Sequence, residues 1–139
     1  MINSFRGEYW WLSNFWPCQV YLDGDSYNSV EAAYVAAKTV IPELRQQIQR
    51  IKRPGDVKRF GRTLPLRSDW EQVKVPIMLY LLQQKFVKGS ELGDKLIATK
   101  PHEIVEGNTW GDTFWGVSRG QGLNTLGKLL MQVRDEISR

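Results

Sequence analysis

The chain has 139 residues, enough for one domain with an ordinary core that needs no disulfide or metal staple. Its formal net charge of +4, with six Trp, five Tyr and five Phe, suits an anionic, ring-bearing partner such as a nucleotide or sugar phosphate. The single cysteine, Cys18, excludes an intramolecular disulfide and a multi-cysteine metal centre. The single histidine, His102, excludes a His-rich metal site and is read as a surface residue.

The first segment, from Ser4 to Ser29, is rich in aromatic and β-branched residues, and Asp23-Gly24 predicts a tight turn between two short strands. It has no apolar h-region, and no stretch approaches the ~18 apolar residues of a membrane span, so the expected location is the cytoplasm, without a membrane partner. Asn28 and Glu31 have the spacing of a capping box and open a helix over "VEAAYVAAK". Pro42 starts a second helix at its N1 position, "KRPGD" ends it, and a third short helix follows Asp56. Ser68 and Glu71 repeat the capping-box spacing and launch a long helix that Pro76 should kink or divide. Ser90 caps "ELGDKLIATK". The stretch from His102 to Gly122 reads as strand, glycine-punctuated loop and strand, and the last helix places Leu126, Leu129, Leu130 and Val133 on one face. The pattern predicts an α+β fold, predominantly α-helical with a small antiparallel β-sheet.

Four constellations carry possible chemistry. In "SVEAAYVAAK", Glu31 and Lys38 lie seven residues apart on a helix apolar all round, about 10.5 Å at 1.5 Å per residue, with Tyr34 between them on one stripe. Side chains lean toward the helix N-terminus, so the Lys38 amine swings back toward Glu31. Buried charges need partners, which points to a pocket with a carboxylate at one end and an amine at the other. The plainer alternative makes Glu31 a cap and Lys38 a last-turn cation on the helix dipole.

In "EGNTWGDTFWG", Asp112 is flanked by Trp110 and Trp115; desolvation by rings would raise its pKa and suit it to acid–base work. The alternative is a turn aspartate capping backbone amides. In "WWLSNFWP", Ser13 and Asn14 interrupt a wall of rings that could stack on a base, or that simply fills the core. Lys58, Arg59, Arg62 and Arg67 form a basic segment able to hold phosphate, or a solvated basic face. The run "GVSRGQGLNTLG" lacks the lysine and the βαβ context of a phosphate loop.

Together, "FRGEYWWLSNFWP", "YNSVEAAYVAAK", "GR…LRSDWEQVK…M…KF" and "VEGNTWGDTFWG…GLNTLGKLLMQVR" resemble, in order and spacing, the YbiA-like or NADAR family over nearly the whole chain. The resemblance implies a single N-glycosidase domain over residues 1–139, with the mostly helical YbiA-like fold and no cofactor. It implies cleavage of the C1′–N bond between a ribose, as its 5-phosphate or within ADP-ribose, and an exocyclic amine. Members of the family act on phosphoribosylamino-pyrimidine intermediates of riboflavin synthesis or remove ADP-ribose from guanine in nucleic acid. The expected partner is therefore a small phosphoribosyl or ADP-ribosyl substrate, or ADP-ribosylated nucleic acid.

Matched block by block, the family's motifs fall on Ser13, Asn14 and Phe15, on Glu31 and Lys38, and on Trp110, Gly111, Asp112, Trp115 and Gly116. Ala32 and Val35 stand where many members carry His and Gln. An open-chain ribosylamine is an imine that a lysine can attack. Lys38 is accordingly expected as nucleophile, with Glu31 or Asp112 moving protons. Phe15, Tyr34, Trp110 and Trp115 would hold sugar or base, and Lys58 and Arg62 phosphate. A two-carboxylate mechanism without a covalent step, a non-catalytic ADP-ribose-binding module and a polynucleotide-binding surface are the alternatives.

Overall fold

The computed structural model describes residues 1–139, which fall into two compact units: Asn14–Lys85, and Met1–Ser13 with Phe86–Arg139. In the first unit, β1 (Val20–Leu22) and β2 (Asp25–Tyr27) pair antiparallel, with Val20 opposite Tyr27 and Leu22 opposite Asp25. Asp23 and Gly24 turn the chain with φ of 51° and 85°, the two left-handed residues that a two-residue hairpin favours.

Helix α1 (Val30–Ala37) starts one residue later than the capping-box reading placed it. Ser29 is the N-cap, and its Oγ accepts from the Ala32 amide at 3.0 Å. Glu31 is therefore N2 rather than the N3 a capping box requires, and Ala32 at N3 has no carboxylate to return the bond. Every α1 residue except Glu31 is buried. The small side chains let α2 (Pro42–Arg50), α3 (Pro54–Gly61) and α4 (Trp70–Lys85) close around α1, which is the axis of this unit. A Cβ on Gly61 would stand 3.0 Å from Val35 Cγ1, so α1 and α3 meet closely there.

Pro42 opens α2 as expected, but Pro54, read as part of a stop signal, opens α3 two residues ahead of Asp56. The first i→i+4 bond of α4 runs from the Val73 amide to the Asp69 carbonyl, so Ser68 is not its cap. Nor does Pro76 divide α4, which runs on to Lys85. Pro76 and Gln72 are both exposed residues, so the turn in which Pro76 supplies no amide lies on the solvent side of α4.

At the end of α4, Lys85 is 4% exposed. Burial pushes its pKa down to about 7, with nearby Cys18 opposing the shift, and burial pushes the Cys18 thiol up in turn. The unfolded chain, with an ordinary lysine, binds more protons than the folded one between pH 7 and about 10.5, so stability must rise with pH across that window. Lys38, also lowered, acts in the same direction, while the raised Cys18 and Tyr27 oppose it only near and above their ordinary values of 9.0 and 10.0. Denaturant unfolding should gain about 1.5 kcal/mol from pH 7 to 8.5. Lys85→Met should flatten that slope; an unchanged slope in the variant would show that Lys85 is not its source.

In the second unit, Gly7–Leu12 is a 3-10 helix that the aromatic content of this segment does not signal, with Trp11 and Leu12 buried. Ile2 pairs with Ile104 as an isolated bridge. Ser90 caps α5 (Glu91–Ala98) as expected, its Oγ accepting from the Gly93 amide at 3.1 Å. Helix α6 (Thr125–Ile137) buries Leu126, Leu129, Leu130 and Val133, and packs on α5. Arg134, 7% exposed, reaches from α6 to Thr99 Oγ1 at 3.0 Å and the His102 carbonyl at 2.7 Å. Strands β3 (Gly107–Asn108) and β4 (Val117–Ser118) run parallel, unlike the β1–β2 pair. The fold is α+β and mostly helical with a small antiparallel sheet, and no helix is long and apolar enough to cross a membrane.

Candidate active site

Within Asn14–Lys85 the candidates converge on α1. Lys38 is its C-cap, half-buried, with Nζ 5.8 Å from the centre of the Tyr34 ring. That ring is buried and rests at 5.2 Å on Trp70, the first residue of α4. Burial lowers the Lys38 pKa; Glu31 opposes the shift, and the positive charges of Lys58 and Arg62 add to it. Glu31, Lys58 and Arg62 thus all act on one amine. Lys58 and Arg62, four residues apart, lie on one face of α3 and its C-cap.

Asn14 completes this group. Its carbonyl accepts the Glu31 amide at 3.0 Å, satisfying one of the orphan donors at the start of α1. Its side-chain Nδ2 lies 3.6 Å from Met78 Sδ, while its buried Oδ1 has no donor. A buried acceptor without a donor costs free energy that a ligand N–H or O–H would recover. Phe15 follows, half-buried. Ala32 and Val35 are each 1% exposed, so the two departures from the family pattern are packed into the core.

Arg59 and Arg67, grouped with the phosphate candidates, are engaged elsewhere. Arg59 pairs with Asp56 at 3.2 Å on the surface. Arg67 grips Asp69 with two bonds, at 2.6 and 3.2 Å.

The second unit holds Ser13 and the Trp110–Gly116 loop. Ser13 is half-buried and ends the 3-10 helix, its amide donating to the Trp10 carbonyl at 2.9 Å. Asn108 is the brace of the loop: its Nδ2 donates to the Asp112 carbonyl and to Glu106 Oε2, both at 2.9 Å, and its Oδ1 accepts the Asp112 amide at 3.1 Å. Gly111 has φ of 85°, and its amide donates to Ser118 Oγ at 3.2 Å. Asp112 Oδ1 accepts the Phe114 and Trp115 amides at 3.1 and 2.9 Å, the geometry of the capping alternative. Trp110 is 52% exposed and offers a ring face for stacking, whereas Trp115 packs edge-on against Phe114 at 5.0 Å.

Gly116 is required by space: a Cβ there would lie 2.2 Å from the Glu106 carbonyl oxygen and collide with the Glu106 carboxylate. Gly116→Ala should therefore cost about 2–4 kcal/mol of stability, read as a lowered melting temperature. An unaffected melting temperature would mean that the loop repacks without cost.

Three features escaped the sequence reading. Glu106 is a second carboxylate in this loop, signalled only by its place in "VEGN". Asn108 looks like a turn residue until its three bonds are seen. Arg45, in a helix of mixed polar residues, reaches back to the end of α1, which no local pattern announces.

The class is thus a mostly helical α+β protein with a half-buried lysine in electrostatic reach of a carboxylate and two cations. The NADAR domain family matches residues 3–138, and the chain belongs to that family. It is 38% identical to N-glycosidase YbiA of Escherichia coli over 97% of this chain and 86% of that protein. An N-glycosidase of Nostoc punctiforme is 35% identical over 91% of this chain and 84% of its own length. A riboflavin biosynthesis protein of Vibrio vulnificus is 33% identical over 91% of this chain but only 35% of that protein. The NMR structure of E. coli YbiA superposes with a TM-score of 0.86 at 34% identity, covering 99% of this chain and 84% of that one.

Proposed function

We propose that this protein is an N-glycosidase that hydrolyses the C1′–N bond between a phosphorylated ribose and an exocyclic amine, with Lys38 as a transient covalent nucleophile. The observation that carries the reading is the Lys38 amine, half-buried over Tyr34, its pKa lowered by burial and within electrostatic reach of Glu31. The N-glycosidase names of the relatives and the riboflavin biosynthesis name of the Vibrio protein support the same bond and favour a phosphoribosylamino-pyrimidine as substrate. The family match runs across both units, which supports treating residues 1–139 as one functional domain.

In the proposed sequence, protonation of the ribose ring oxygen and electron donation from the substrate nitrogen break the C1′–O4′ bond, giving a C1′ iminium. Neutral Lys38 adds to C1′. A proton passes from the lysine nitrogen to the substrate nitrogen, the bond from C1′ to that nitrogen breaks, and the aminopyrimidine departs. Water then adds to the lysine Schiff base, and loss of the lysine amine leaves ribose phosphate. Glu31 moves the protons, a role typically worth 10²–10⁴-fold. A desolvated lysine is nucleophilic because a larger share of it is neutral at pH 7.

Lys58 and Arg62 are assigned to the phosphate, Asn14 Oδ1 to a sugar hydroxyl or ring N–H, and Phe15 and Tyr34 to apolar contact. The assignments of Ser13, Trp110, Gly111, Trp115 and Gly116 as substrate contacts, and of Asp112 as an auxiliary acid, rest on the family motif. The direct test offers the purified protein an aminopyrimidine phosphoribosylamine and, separately, an ADP-ribosyl-guanosine oligonucleotide, and follows release of base. Release from the first supports the substrate proposed. Release from the second alone moves the same chemistry to nucleic acid, and release from neither leaves a binding module.

A further inference from the structure

We infer that Arg45 and Arg67 are positioning residues for Lys38: from two sides they hold the four consecutive carbonyls, Ala36 to Thr39, on which the lysine is mounted. The inference rests on the reading of Lys38 as nucleophile and concerns how that amine is kept in place. A helix leaves its last carbonyls without intrahelical donors, and most helices leave them to water or to a glycine cap. Here Arg45 Nε donates to the Ala36 carbonyl at 3.1 Å and to the Thr39 carbonyl at 2.9 Å. The Arg67 main-chain amide donates to the Lys38 carbonyl at 2.7 Å, and Arg67 Nη1 reaches the Ala37 carbonyl at 3.4 Å.

Both guanidinium groups are themselves held. Asp23 binds Arg45 Nη1 at 2.6 Å, and Asp69 grips Arg67 through Nε and Nη2. The two side chains are only 11% and 22% exposed, so they are shielded parts of the packing rather than surface cations. Asp69 also supplies the first carbonyl of α4, next to the Trp70 ring that supports Tyr34. The clamp thereby joins the support under the Lys38 amine to the backbone that carries it. A lysine has four flexible methylenes, so its reach is defined only if its backbone and the surface beneath it are fixed. Misplacing a reacting atom by about 1 Å can cost about 10²-fold in rate.

The test uses the full chain with a phosphoribosylamine substrate and borohydride trapping to count competent Lys38 sites. Arg67→Met should lower kcat about 10- to 100-fold per trapped site, change KM less than about 3-fold, and move the acidic limb of the kcat/KM profile to higher pH as the amine escapes into water. Arg67→Lys, which can reach Asp69 or Ala37 but not both, should fall between; Asp69→Asn should resemble it, and both guard against an Arg67→Met protein that fails to fold. A lower melting temperature with kcat per trapped site and the pH limb unchanged would overturn the inference, because it describes a purely structural clamp. Wild-type turnover without any trapped adduct would instead overturn the Lys38 reading, and the inference with it, before any variant is compared.

Discussion

Lys38→Ala is expected to lose at least about 10³-fold in kcat while remaining folded, since a nucleophile removed from a unit that acts together costs most of the rate. Lys38 is the C-cap, beyond the buried Val30–Ala37 residues, so its truncation removes none of the Ala33, Ala36 and Ala37 side chains on which α1 packs. Substrate binding should survive in part, because Lys58, Arg62 and Asn14 are untouched. The measurement is steady-state turnover beside a melting curve. A variant that keeps most of its kcat would favour water activated by carboxylates, with Lys38 reduced to a phosphate or hydroxyl contact.

Glu31→Gln is the second large effect, expected at about 10²–10³-fold in kcat. Its charge is also the influence that opposes the fall of the Lys38 pKa. Without it the lysine pKa should drop further, so residual activity should persist to lower pH than in the wild type, the acidic limb moving down. The shift is opposite in sign to that expected of Arg67→Met, so the two variants separate electrostatics from position. A residual profile with its acidic limb unmoved would show that Glu31 does not act on the titrating lysine.

Much of this architecture was legible because it is written in local chemistry. Asp23-Gly24, Pro42 and Ser90 each act through their own dihedrals or side-chain oxygen, and each element begins or turns where they place it. The final helix was equally plain, with its leucines on one stripe. The misses came where two local solutions compete. Asn28 and Ser29 are both good caps, and the choice of Ser29 shifts Glu31 by one position. Pro54 can end one helix or begin the next, and the short connection after Arg50 leaves it the second role. Pro76 lies inside α4 on its exposed side, and that exposure is a property of the tertiary fold.

The same division runs through the candidate site. Glu31, Tyr34 and Lys38 share a helix, so their common stripe follows from spacing alone. Arg67 was grouped with phosphate ligands because a run of cations looks alike in sequence. Asp69 lies only two residues on, whereas its other partner, the end of α1, is brought to it by the packing of α4 on α1. Asp112 shows the reverse: flanking tryptophans suggest desolvation, while the backbone two and three residues on supplies amides to one of its oxygens. Burial of Lys85 had no local signature, since a lysine in the last turn of a helix is ordinarily solvated.

The most direct test of the covalent proposal is intact-mass analysis of the wild-type enzyme reduced with borohydride during confirmed turnover of a phosphoribosylamine. The proposal predicts one added ribose phosphate per chain, mapped by peptide analysis to Lys38 and absent from Lys38→Ala. An unmodified mass while base is being released, or an adduct on another lysine, would contradict it.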